Sequence, residues 1–441
     1  MNGLAALSSW ILGLLMAFIL PGLVLWVNGL TYTLSMNLRE CRLGRTRRAS
    51  YDVIVAAKEE PVELVRRLAW AVSGLNPPPR RLIIAWDGEG LDEARRAAEE
   101  AARGVEVIVF RAGCRSKACA VNKALSHVSS EYVVILDIGD EPGSRDYGAR
   151  ATACRVVVPR WEPQRPLNMF EEAVALLVSY GSRILYTGRC RLGLPVYFLG
   201  SGSSASTRTL RAMGGLPDEV LEDVGFGLEL LAAGIKPCYG EEHVLYVGLP
   251  PSYAGFRKQQ ARWAMGAAKL LRRLGSLGLE GRARLDAALY LSQYLLSSLQ
   301  LPGLILLALQ PPPLHPLLAC LGFWAAGMAL AGTGLYVHAS KEMGLGARKA
   351  FFASARASAV SMALTPVLLA YSIRGLLGIR VGFIKTPKKR GSRLIPVSEA
   401  VALAACLAAL AFGPPSPVKL LVLMYPVSVA YVAVRLRKWL S

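Results

Sequence analysis

Carboxylates recur in this chain where apolar runs stop. Lys58-Glu59-Glu60 follows one β-branched run, Asp87-Gly88 follows a second, and Asp137-Ile138-Gly139-Asp140-Glu141-Pro142 follows another, while Glu222-Asp223 opens a later helical stretch. One such acid is ordinary turn or helix-cap chemistry, because short carboxylates accept backbone N–H bonds there. Repetition at successive strand ends carries more information. In a parallel α/β sheet ligands bind beyond the carboxyl ends of the strands, so these acids would face one crevice. With Lys117 nearby they suit a diphosphate held through Mg2+ or Mn2+ on Asp137, Asp140 and Glu141, since hard cations prefer oxygen ligands and offset phosphate charge. The chain has no P-loop and no G-x-G-x-x-G after a strand, so the common phosphate cradles do not compete with this reading.

The elements that must position these groups lie between Tyr51 and about Arg273. Short β-branched runs at Asp52–Val55, Leu82–Ala85, Val105–Phe110 and Tyr132–Leu136 alternate with helical patterns at Pro61–Val72, Asp92–Arg103 and Lys117–Val128. That alternation predicts a mostly parallel α/β sheet.

Either side of this segment the composition changes. The chain of 441 residues is 53% hydrophobic and carries 51 basic against 31 acidic residues, a net +20. Its mean hydropathy of +0.37 is too high for an ordinary soluble enzyme. Ile11–Leu30 is long enough to cross a bilayer, and Arg39, Arg42, Arg45, Arg47 and Arg48 follow it, which predicts a retained anchor with its N-terminus outside. Residues 287–340 predict two crossings joined at Gln310-Pro311-Pro312-Pro313, and Glu399–Leu410 and Leu420–Val434 two shorter ones. A crossing by residues 350–376 would put the basic residues 380–393 outside, against the positive-inside rule, so this stretch is expected to lie along the inner surface. The expected layout is an anchor with its basic flank (1–48), a cytosolic catalytic domain (49–275) and a membrane region (276–441), five crossings in all. The basic excess is largely membrane-proximal, which argues against nucleic acid as a partner. The eight cysteines show no zinc spacing and are expected to be structural thiols, a bridge between Cys114 and Cys119 on either side of Lys117 being the less favoured alternative.

The ordered motifs of residues 50–390 resemble the family 2 glycosyltransferases of GT-A fold, in particular the membrane-integrated cellulose, chitin and hyaluronan synthases. Asp87-Gly88 resembles the family's uracil-contacting aspartate, Lys117-Ala118 with Asn122 its K-A-x-x-x-N helix start near the diphosphate, and Asp137 the first acid of its D-x-D metal motif. Gly139 stands where the second acid is usual, which leaves that role to Asp140 or Glu141. Glu60 is in register with the last residue of a P-x-x-N-E pattern. Gly200-Ser201-Gly202-Ser203 resembles the acceptor-side loop, Glu222-Asp223 the ED pair whose aspartate is the catalytic base, and Gln259-Gln260-Ala261-Arg262-Trp263 the Q-x-x-R-W motif. There Arg262 can clamp a phosphate, while Gln259 and Trp263 offer an amide and a stacking face to the acceptor. Phe383, Thr386 and Lys388 resemble a gating loop. The resemblance implies an inverting transferase taking a sugar from a nucleotide-sugar donor, UDP-linked if Asp87 reads uracil. Its acceptor would be a growing polysaccharide that is also exported, or, in the competing reading, a lipid at the bilayer. An inactive scaffold or transporter is the reading from another class.

Overall fold

The computed structural model describes residues 9–44, 49–379 and 396–435. In chain order the elements are α1 (Ser9–Ser35), β1 (Tyr51–Lys58), α2 (Val62–Ser73), β2 (Arg81–Asp87), α3 (Leu91–Ala101), β3 (Glu106–Arg111), α4 (Lys117–Ala124), β4 (Tyr132–Leu136), β5 (Glu141–Pro142), β6 (Val156–Pro163) and α5 (Met169–Ser182). These are followed by β7 (Ser204–Ser206), α6 (Glu222–Ala232), β8 (Cys238–Val247), α7 (Tyr253–Arg273), α8 (Gly281–Leu309), α9 (Leu314–Glu342), α10 (Ala347–Leu376), α11 (Val397–Phe412) and α12 (Val418–Val434).

The strands form one sheet in the order β3-β2-β1-β4-β7-β6-β8-β5. β1 pairs in parallel with β2 and β4, β2 with β3, and β6 with β8, while β7 and β5 pair antiparallel with their neighbours. The result is a GT-A-like mixed sheet. Strand alternation sorts its two faces. Val53, Val55, Leu82, Ile84, Val134 and Leu136 point to the side covered by α2 and α3, and Ile54, Ile83, Val133 and Ile135 to the side covered by α4 and α6. α2 meets its face with Val65, Leu68, Ala69 and Val72, the spacing of a single helical stripe.

Four helices, α1, α8, α9 and α10, are long and apolar enough to cross a membrane, and α11 and α12 are shorter apolar helices. α1 and α8 touch backbone to backbone: a side chain at Gly303 would run into Ala17. Ser9 and Gln310 are hydrogen-bonded, and Gly413 abuts the carbonyl of Ala308, so the start of α1, the α8–α9 turn and the α11–α12 turn share one end of the bundle. At the opposite end α1 meets the α/β domain through Arg183 on the Ser35 hydroxyl (3.0 Å) and Arg191 on the Ser35 carbonyl (3.1 Å), Arg191 being paired within the domain to Glu241 (2.7 Å). These surround a polar cavity of about 250 Å3.

The segment expected to lie on the inner surface, α10, is one continuous helix of 30 residues. It packs along α7, where Gly375 sits against the carbonyl of Met265, and its Arg356 pairs with Glu172 of α5 at 2.8 Å. Three disulfides overturn the expectation of free thiols: Cys41–Cys190, Cys114–Cys119 and Cys154–Cys238. Two of them join residues 149 and 84 positions apart, which the fold brings together and no local spacing announces. Cys320 and Cys406 remain as thiols. The basic segment 380–393, including Phe383, Thr386 and Lys388, lies outside the described residues.

The membrane helices are locked to α7 by a buried charge pair. Glu399 of α11, 2% exposed, accepts from Arg257 Nε at 2.5 Å and from the Tyr253 hydroxyl at 3.2 Å. Removing one partner strands the other away from water, whereas an apolar pair of similar size need not. Glu399→Ala is therefore expected to cost about 3 kcal/mol in detergent unfolding, and the double change Arg257→Met, Glu399→Leu to recover most of it. A neutral single substitution would show that the pair is not a lock.

Candidate active site

Lys117 is the first residue of α4, whose N-cap Ser116 accepts the N–H of Cys119 at 3.2 Å. The cap fixes the helix start at the carboxyl edge of the sheet. From there the Lys117 ammonium reaches Asp137 Oδ1 at 2.5 Å, beyond the end of β4, and Glu222 Oε1 at 3.9 Å, at the start of α6. Burial alone would lower the Lys117 pKa, but Asp137, Glu222 and Asp223 together hold it above its ordinary value. It is a permanent cation at any working pH.

Gly139 adopts φ +103°, which turns the chain so that Asp140 points inward. Asp140 accepts from Ser201 Oγ at 2.6 Å and from the Gly248 N–H at 2.9 Å. Burial, and then the charge of Asp137, push its pKa up to about 7. Ser201 binds both acids, since the N–H of Asp137 donates to the same hydroxyl oxygen at 3.0 Å.

Glu222 and Asp223 occupy the first turn of α6. Asp223 Oδ1 accepts the N–H of Val224 at 2.8 Å, so a helix-end role is present alongside any other. Burial raises both pKa values, that of Glu222 to about 7 with the charge of Asp223 as its next cause. Gly200, at φ +72°, keeps the space above them open. A Cβ there would stand 3.2 Å from Asp223 Oδ2 and 3.5 Å from Lys117 Nζ, so any side chain would intrude between these two groups. On α7, Gly266 packs against Leu221, next to Glu222, and Gln259, Arg262 and Trp263 are half-buried one to two turns earlier on the same helix.

The remaining expected residues are placed as follows. Asp87 ends β2 and takes the N–H of Cys114 on both oxygens at 3.2 Å. Glu60 is half-buried just past the end of β1, where the Glu59 N–H donates to the Asp87 carbonyl at 3.0 Å. Asn122 spends its amide on the backbone of Leu216, donating and accepting at 2.8 Å, and so braces the Gly214-Gly215 turn. Gly202, at φ +76°, is enclosed by Tyr147, Leu245 and Pro159 and gives its carbonyl to the Tyr147 hydroxyl at 2.8 Å. Glu141 is turned to Arg67. Gln164, which donates to the Gly139 carbonyl at 2.6 Å, was not singled out by sequence, and Gly200 and Ser201 were read there only as part of an acceptor-side loop. A turn glycine or a loop serine has no distinguishing local pattern.

Among the described residues no three His, Cys, Asp or Glu side chains are grouped to hold a metal ion by themselves. Asp137 and Asp140 nevertheless fit one supplied with a diphosphate. They are two carboxylates whose mutual repulsion a cation would relieve, and Mg2+-type sites often use one or two acids completed by substrate phosphates and water.

Comparison with known proteins bears on the family and the fold. Residues 52–142 match the family described as Glycosyl transferase family 2, and residues 154–340 match Glycosyl transferase family group 2. A probable glycosyltransferase of Sulfolobus acidocaldarius is 23% identical over 372 residues, covering 78% of this chain and 79% of that one. A mannosyltransferase from Pyrobaculum calidifontis, solved in complex with GDP-Man and Mn2+, has a TM-score of 0.53 at 19% identity, covering 84% of this chain and all of that one. At that identity the likeness is one of fold.

The buried acids make stability depend on pH. Glu222 is raised from its ordinary 4.5 to about 7, so its contribution is fully present below pH 4.5 and is lost as the pH rises through 7. In the absence of ligand and divalent cation, the melting temperature of the wild type is expected to fall relative to that of Glu222→Gln between those limits and to run parallel above them. A difference independent of pH would contradict the placement of Glu222.

Proposed function

This chain is a glycosyltransferase of family 2, and from that premise we propose that it transfers a sugar, with inversion, from a nucleotide diphosphate to an acceptor hydroxyl at the cytosolic face of a membrane. The observation that carries the proposal is the gathering of Asp137, Lys117, Glu222 and Asp223 from three separate elements around the gap kept by Gly200. The acceptor oxygen attacks the anomeric carbon as its bond to the diphosphate breaks, and the hydroxyl proton passes to Asp223. Burial in a carboxylate-rich site raises the basicity of Asp223 and so suits it to this step. Lys117, with Arg262 approaching from α7, takes up the charge developing on the leaving diphosphate. A divalent cation, Mg2+ or Mn2+, would be held by Asp137 and Asp140 and would share that charge.

Asp87 supports a donor whose base presents a ring N–H to a carboxylate. Uracil, the base expected from sequence, and guanine both do so. The apolar helices support a multi-pass attachment, and contacts of both halves of α10 with catalytic-domain helices support five crossings with α10 along the inner surface. The acceptor in this reading is the end of a growing saccharide presented at the membrane, the polymer leaving through the bundle.

Two measurements test the reading. A melting-temperature screen of UDP- and GDP-sugars, with and without Mn2+ or Mg2+, is expected to show stabilisation by a sugar nucleotide that is largest with metal. Asp223→Asn should keep that stabilisation and lose transfer by roughly 100-fold or more, the scale of a general base. Undiminished transfer would place the base elsewhere.

A further inference from the structure

Next to Asp223, where the catalytic domain meets α8, stands a wall of tyrosines that the mechanism has not used. Asp286, Tyr290 and Tyr294 recur every four residues along α8 and so share one stripe. The Tyr290 hydroxyl lies 3.3 Å from that of Tyr186, which sits in a π-helical segment, Arg183–Gly188, a form that often marks functional sites. The Tyr290 and Tyr197 rings approach to 4.5 Å between centroids, and the Tyr294 hydroxyl donates to Gln260, inside the Gln259–Trp263 motif, at 2.8 Å.

Packing places this wall at the base. Tyr186 belongs to a cluster with Leu199, the residue before Gly200, and Tyr290 and Tyr294 pack on the cluster containing Val224, the residue after Asp223. Burial, the Tyr290 hydroxyl and the charge of Asp223 all keep the Tyr186 phenol protonated, well above its ordinary value. Arg189, the wall's cation, lies over the Tyr197 and Tyr290 rings at 5.2 and 5.4 Å, but Asp286 neutralises it at 2.5 Å. The cluster is thus aromatic and without net charge, with Tyr186 and Tyr197 buried, Tyr290 and Tyr294 half-buried at its edge, and the Tyr197 hydroxyl donating to Asp286 at 2.8 Å. Aromatic faces and neutral hydroxyls match a pyranose ring, whereas a phosphate would need a free cation and would face Glu222 and Asp223.

We propose that Tyr186 and Tyr290 are positioning residues that hold a saccharide acceptor, rather than a lipid phosphate, with its reacting hydroxyl toward Asp223. This rests on the reading of Asp223 as the base. The test uses the full-length chain in detergent, with the donor found by the melting screen, short oligosaccharide primers, and a short-chain polyprenyl phosphate. The wild type should glycosylate a primer and leave the polyprenyl phosphate unmodified, a result that does not depend on any variant folding. Tyr290→Phe and Tyr186→Phe should each raise the primer KM about tenfold, the scale of one hydrogen bond, with the donor-induced melting shift as in wild type. Exclusive use of the polyprenyl phosphate, or an unchanged primer KM in both folded variants, overturns the wall. Absence of any donor shift in the wild type would instead sink the transferase reading beneath it.

Discussion

One ammonium group among four carboxylates sets the terms of this site. Lys117 touches Asp137 and stands near Glu222, with Asp223 and Asp140 close behind. A single positive charge cannot balance that much acid in a partly buried crevice. The site therefore eases its own repulsion by holding protons near neutral pH, which is why Asp140 and Glu222 are both pushed up to about 7. A diphosphate adds further negative charge. It can enter comfortably only with a cation of its own, which would take the oxygens of Asp137 and Asp140 and favour the ionised form of Asp140. Binding of donor, uptake of metal and loss of a proton are on this view one linked event.

The scaffold keeps Lys117 there by short, local means. The Ser116 cap sets the start of α4, and Ser201 fixes Asp137 and Asp140 with a single hydroxyl. The loop carrying Ser201 enters the sheet through β7, whose antiparallel pairing with β4 runs Ser204–Ser206 back past the strand that delivers Asp137. α6 adds Glu222 and Asp223, and Gly266 of α7 allows those two elements to meet closely at Leu221. α7 is in turn clasped by α10 and pinned to α11 by Arg257 and Glu399. The acidic cluster and the apolar helices therefore share one framework through α7.

The parts legible in the sequence are those where a period of hydrophobic residues is long enough to read. β1 to β4 and α2 to α4 fall within a few residues of their expected positions, and Asp137, named from a strand end, lies with Lys117, Glu222 and Asp223, named from the family resemblance, in one cluster. β5 and β7, of two and three residues, carry no period and could not be seen. Asn122, expected near the diphosphate, braces the turn at Leu216, because its role depends on what lies opposite it 94 residues away. Two of the disulfides, Cys41–Cys190 and Cys154–Cys238, and the tyrosine wall were hidden for the same reason. Each joins residues distant in sequence, and composition alone does not show such a meeting.

Gly139 raised the question of whether the acidic site is intact, since an aspartate is usual there in the enzymes this chain resembles. Its backbone gives the answer. At φ +103° an aspartate would be strained, whereas glycine adopts that conformation freely. The turn it permits swings Asp140 into the crevice, where Ser201 and the Gly248 N–H receive it, and Gln164 ties down the Gly139 carbonyl. The nearest acid, Asp140, thus stands one residue along the chain and is half-buried. An exposed aspartate would be ionised throughout the physiological range, whereas Asp140, pushed up to about 7 by burial and then by the charge of Asp137, is ionised only in part near neutral pH. A site built this way couples its charge to occupancy, and the departure from the usual motif is the feature that makes the coupling possible.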